Sequence, residues 1–143
     1  MRARNILWPT DFSDTASHAL RYAIEMANLY QVGMRILHVV DQPSGNENYM
    51  FLAVTPEELA KNMEEAAASK MHELLDLLDT NLKIETVIRH GDAVDQILAE
   101  VNSGDIGMVV IASHGRTGLS HFLHESVAET IANKAVCPVL VVK

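Results

Sequence analysis

Two short stretches carry residue types that could do chemistry: Pro9-Thr10-Asp11, which closes the first apolar run, and Ser113-His114-Gly115-Arg116-Thr117-Gly118, which closes a later one. In the second, backbone N–H groups at the Gly115 and Gly118 turns and at a helix start near Ser126 would converge on an anion. The helix dipole would add partial positive charge and Arg116 a cation, which together make a cradle for phosphate. The same glycines would equally serve a loop that only turns the chain. Asp11 offers a carboxylate to a ribose hydroxyl or a metal ion, or a cap to the following helix beside Ser13. On the residues alone both pairs of readings stay open.

Other chemistries lack their residues. There is no Walker lysine motif, no GxGxxG after the first apolar run and no GxSxG elbow for a serine nucleophile. A phosphoacceptor receiver would need an aspartate closing the third strand, where Arg89, His90 and Gly91 stand instead. His114, His121 and His124 lie near one another without carboxylates or thiolates at metal-ligating spacing, so they read as loop or surface histidines. Cys137, the single cysteine, excludes an internal disulfide and is expected to pack as a small apolar side chain. With 11 Lys and Arg against 19 Asp and Glu, the net charge of −8 argues against nucleic acid or an anionic membrane as the main partner. The opening "MRARNILWPTDF" has no apolar stretch of secretory-signal length, and no span reaches the ~20 apolar residues of a membrane helix, so the cytoplasm is the expected location.

The elements that must position these residues alternate in type. "NILWPTD" reads as a strand, and Ser13 caps a helix whose apolar residues Ala16, Leu20, Ala23, Ile24 and Ala27 fall at helical spacing up to Gly33. "MRILHVVD" is a second strand, followed by a long loop from Asp41 to Val54. Thr55, Pro56 and Glu58 form a helix-start signature ahead of Met63, Ala67, Met71, Leu74 and Leu78. The acidic stretch "MEEAAASKMHE" reads as that helix's solvated side. Then come "LKIETVIRHG" as strand, "DAVDQILAEVNSG" as short helix, "DIGMVVIAS" as a strand apolar nearly throughout, "SVAETIANKAV" as helix and "CPVLVVK" as the last strand. Strands alternating with helices predict an α/β fold, one doubly wound parallel sheet with helices on both faces, over residues 1–143 as a single domain. In such sheets ligands bind beyond the carboxyl ends of the strands where the winding reverses. If strands one and four are central neighbours, the two opening stretches meet there.

The segments "ILWPTDFSDTASHAL", "ILHVVD", "IASHGRTGL" and "SVAETIANKAVCPVLVVK", in that order, resemble the universal stress protein family of the UspA type. The resemblance implies the strand order 3-2-1-4-5 of the adenine-nucleotide alpha hydrolase-like fold. It also implies a role in stress response and a homodimer formed through the last strand, Val139 to Lys143, which would cover an otherwise exposed apolar edge. It further implies an ATP site, with Mg²⁺ as companion. There Asp11 would serve the ribose, the Val39 backbone the adenine, and Gly115 and Ser126 the phosphates, with Pro9, Thr10, His114, Arg116 and Val127 beside them.

ATP-binding members carry a glycine, two residues, a second glycine, nine residues, then a glycine followed by Ser or Thr. The matching positions here are Ala112, Gly115, Glu125 and Ser126. Ala112 adds one methyl; Glu125 sets a carboxylate where the backbone would approach phosphates, unless it turns to solvent or shares a metal ion with them. Two functions follow: a nucleotide-binding dimer with at most slow ATP hydrolysis, or a regulatory dimer that binds no nucleotide and works through a protein partner. A nucleotide-triggered switch would use Asp41 to Val54 as its lid.

Overall fold

Asn5–Pro9 (β1) is apolar on both faces, and a strand of that kind belongs inside a sheet with helices above and below it. The computed structural model, which describes residues 4–40, 55–113 and 123–143, places it there. The chain continues through α1 (Asp14–Tyr30), β2 (Met34–Val40), α2 (Pro56–Leu77), β3 (Ile84–His90), α3 (Ala93–Val101), β4 (Ile106–Ala112), α4 (Glu125–Lys134) and β5 (Val139–Val142). The sheet order is β3-β2-β1-β4-β5 with every neighbouring pair parallel. The winding therefore reverses between β1 and β4, as the resemblance implies. Helix α1 lies over β1 and β4, α2 over β2 and β3, and α3 packs against α4. With every crossover right-handed, the reversal of winding direction after β3 puts α1 and α2 on one face of the sheet and α3 and α4 on the other.

The start signals act as their residue types require. Ser13 Oγ accepts from the Ala16 N–H at 3.2 Å, Thr55 and Glu58 complete a reciprocal capping box, and Asp92 caps α3 through the Asp95 N–H at 3.1 Å. The end of α1 differs from expectation. Gln31, not Gly33, carries the left-handed C-cap conformation at φ 56°. Gly33 is needed for space instead: a Cβ there would sit 2.7 Å from the Lys83 carbonyl oxygen and 2.9 Å from Asn5 Oδ1. Trp8 is wholly buried, and its indole N–H donates to the Ala16 carbonyl at 3.1 Å, tying β1 to α1.

Near the amino ends of β2 and β4 lies an ionic cluster. The Arg35 guanidinium reaches Glu100 at 2.8 Å, Asp105 at 2.7 Å and Glu85 at 3.2 Å, and Arg89 reaches the other Glu100 oxygen at 2.7 Å. Burial alone would lower the pKa of Arg35. The hydrogen bonds to Asp105 and Glu100 and the charges of Glu100 and Glu85 outweigh it and raise that pKa above its ordinary value. No helix among the described residues is long and apolar enough to cross a membrane.

Candidate functional site

The carboxyl end of β1 turns over within three residues. Thr10 extends the pairing with β2 by donating its N–H to the Leu37 carbonyl at 2.8 Å, and both Thr10 and Asp11 are buried. Phe12 then takes a left-handed φ of 64°, rare for a residue with a Cβ and a mark of a turn held by its surroundings. Those surroundings are specific. The Phe12 N–H donates to Thr10 Oγ1 at 3.0 Å, and the Phe12 ring lies on His38, with centroids 4.4 Å apart. His38 Nδ1 is 2.8 Å from the Thr10 carbonyl oxygen, which only accepts, so Nδ1 carries the proton. His38 is thus a polar residue inside an apolar strand that fixes the turn carrying Asp11.

The turn aims Asp11 in two directions. Its Oδ1 accepts from the Ser13 N–H at 3.0 Å and from the Ser13 hydroxyl. Its Oδ2 accepts from the Leu123 N–H at 3.2 Å, across 112 residues of sequence. Asp11 therefore supports the α1 cap through Ser13 rather than capping the helix itself, and it clasps the residues that lead into α4. Leu123 is fully buried. Next comes His124, the N-cap of α4, whose side chain makes no capping bond. The helix begins at Glu125, one residue earlier than the spacing predicts, with Glu125 and Ser126 exposed and Val127 half-buried. Amides at such an end are oriented toward an anion.

The structure thus gathers Pro9, Thr10 and Asp11 from the end of β1 with the first turn of α4, which carries Glu125, Ser126 and Val127. Val39, near the carboxyl end of β2, and Ala112, the last residue of β4, are buried at the same edge of the sheet. Ser113, just past β4, is buried with its N–H on the Val142 carbonyl at 2.9 Å, and its hydroxyl has no hydrogen-bond partner among the described residues. His114, Gly115 and Arg116 lie outside the described residues, as does the segment from Asp41 to Val54. Among the described residues, no three His, Cys, Asp or Glu side chains gather to hold a metal ion. A cleft of about 330 Å³ opens beside the turn, between Thr10, Phe12 and Ser17 on one side and Lys70, Glu73, Leu74 and Leu77 of α2 on the other.

Three participants were not singled out from sequence: Phe12, His38 and Leu123. A histidine within "MRILHVV" is a visible irregularity. The Leu123 N–H has no sequence signal, because it contributes a backbone atom.

The family model described as "Universal stress protein family" matches residues 2–143. A universal stress protein of Methanocaldococcus jannaschii is 31% identical over 153 residues, covering 98% of this chain and 94% of its own. The solved universal stress protein UspA of Lactobacillus plantarum superposes with a TM-score of 0.80 at 22% identity, covering 100% and 99% of the two chains. Two other solved proteins of this fold hold adenine nucleotides. One, from Archaeoglobus fulgidus, is in complex with dAMP (24% identity, TM-score 0.60, 100% of both chains). Another universal stress protein is in complex with cAMP (18% identity, TM-score 0.61, 99% and 98% of the two chains).

Proposed function

Because the chain belongs to the universal stress protein family, we propose that it binds an adenine nucleotide, ATP with Mg²⁺ as first candidate, at the corner where β1, β4 and α4 meet, and acts in stress response as a homodimer joined through β5. The observation that carries this reading is the Asp11 clasp. A buried carboxylate bonded to Ser13 on one side and Leu123 on the other holds the turn after β1 against the entry of α4. A sugar hydroxyl acceptor and a helix end without a side-chain cap are thereby set side by side. Asp11 serves the ribose, the Val39 backbone the adenine, and the first α4 amides with Ser126 the phosphates. Relatives of the same fold in complex with cAMP and dAMP support a nucleotide of this class. The sugar of cAMP has only its 2′-hydroxyl free, and that of dAMP only its 3′-hydroxyl.

One observation favours a second reading. Glu125 stands at the first position of α4, where phosphate charge would come close. A dimeric regulatory module without nucleotide would suffer no such conflict. Titration calorimetry with ATP, with and without Mg²⁺, after analysis of denatured protein for co-purified nucleotide, separates the two. Micromolar binding or a carried nucleotide is expected; silence in both tests overturns the nucleotide reading in favour of the module.

A further inference from the structure

Asp11 does more than offer a carboxylate; the structure shows how little of it remains to be offered. A carboxylate has about four lone-pair positions, two on each oxygen. Oδ1 uses both on Ser13, one for the N–H at 3.0 Å and one for the hydroxyl. Oδ2 uses one on the Leu123 N–H at 3.2 Å. At most one position is left, and it lies on Oδ2.

We propose that Asp11 accepts one sugar hydroxyl and no second, so that its side of the site reads a single edge of the ribose and does not discriminate against a nucleotide lacking the other hydroxyl. This inference rests on the nucleotide reading above and specifies the ligand class: adenine nucleotides with one or both of the 2′- and 3′-hydroxyls, provided the one facing Oδ2 is present. The alternative is a carboxylate that grips both hydroxyls, one on each oxygen. That grip would have to displace a donor. Losing Leu123 would leave a buried backbone N–H without its partner, in a residue with no exposed surface. Losing the Ser13 hydroxyl would loosen the oxygen that also accepts the Ala16 N–H at the α1 cap. Each displacement costs more than the second sugar bond would return, because one hydrogen bond to the charged oxygens only replaces another while a buried N–H loses its partner or the α1 cap is weakened besides. The clasp therefore persists when ligand binds.

The test compares ATP, 2′-deoxy-ATP and 3′-deoxy-ATP by titration calorimetry on the wild-type protein, and on Asp11→Asn for attribution. One analogue is expected to bind roughly tenfold or more weakly, because it lacks a hydrogen bond to a charged acceptor, and the other within about twofold of ATP. If a different residue holds the second hydroxyl, both analogues weaken, but Asp11→Asn erases only one of the two differences. If Asp11→Asn erases both, or if neither analogue weakens in the wild type, the inference is overturned while nucleotide binding stands. No binding of any of the three overturns the nucleotide reading and this inference together. Amide hydrogen exchange at Leu123 gives a check that needs no variant. Protection retained on saturation with ATP agrees with a persistent clasp, and protection lost on saturation contradicts it.

Discussion

At Glu125 two effects of one carboxylate oppose each other. As the first residue of α4, Glu125 faces the positive end of the helix dipole and stabilises the helix. In the same place it repels the phosphates that those amides would attract. It is exposed, so water and salt weaken both effects. Glu125→Gly is therefore expected to raise ATP affinity by about three- to tenfold at low ionic strength, with the gain shrinking as salt is added. It is also expected to lower the melting temperature of the nucleotide-free protein, because a favourable dipole partner is lost and a glycine enters a helix. Calorimetry and thermal unfolding check the two signs separately. Unchanged affinity at low salt would show that the carboxylate points away from the phosphates. The sequence exposes this conflict once the resemblance sets Glu125 against the last glycine of the ATP-binding pattern. Asp11 was legible as a choice between cap and ligand, whereas its actual bridge to Leu123 was not, because a backbone donor 112 residues away leaves no trace in composition or spacing.

Among the elements, periodicity and end signals make the strands and helices readable, because caps such as Ser13, Thr55 and Asp92 act locally. What they cannot supply is the charge buried between elements. Arg35 interrupts the apolar run of β2 and Glu100 sits on the buried side of α3, yet only the packed structure shows that they meet at 2.8 Å and that Glu100 also holds Arg89. Removing the shared carboxylate leaves one buried and one half-buried guanidinium under-compensated. Glu100→Ala is thus expected to destabilise the fold by about 3–5 kcal/mol, measurable by denaturant unfolding. A loss below about 1 kcal/mol would mean that Asp105 and Glu85 suffice for Arg35. The turn into β5 makes a different prediction. Burial raises the Cys137 thiol pKa above its ordinary value of 9.0, against the lowering effect of hydrogen bonds to the backbone of Cys137 itself and of Val109. A folded pKa above the unfolded one gives a contribution fully present below the unfolded pKa and lost as pH rises through the folded value. Stability should therefore decline in the alkaline range beyond about pH 9, and Cys137→Ala should flatten that decline without altering the acid side. An identical alkaline slope in the variant would assign the loss to other groups.

The whole molecule has two sheet edges, and they are not alike. At β3, Glu85 and Arg89 engage Arg35 and Glu100, and the strand also carries Thr86 and His90. Charged and polar groups of this kind discourage pairing with another chain. At β5 the edge is Val139, Leu140, Val141 and Val142, four apolar residues, the first three half-buried in the single chain. Neighbouring it, Val136 is among the most exposed large apolar residues described. Such a strand gains by pairing, because a second β5 would satisfy its outer backbone groups and cover its apolar side chains together. In the proposed homodimer this asymmetry favours β5 over β3 as the seam, and a two-fold axis there would keep each proposed nucleotide corner, formed by Asp11 and the start of α4, within its own chain. Placing a charge in the seam, as in Leu140→Lys, is therefore expected to halve the mass measured by sedimentation equilibrium while leaving ATP affinity within about twofold, since the proposed contacts come from one chain. If the variant keeps the wild-type mass, the seam lies elsewhere. If dissociation instead abolishes nucleotide binding, the site needs a residue from the second chain, and the corner between β1 and α4 is only part of it.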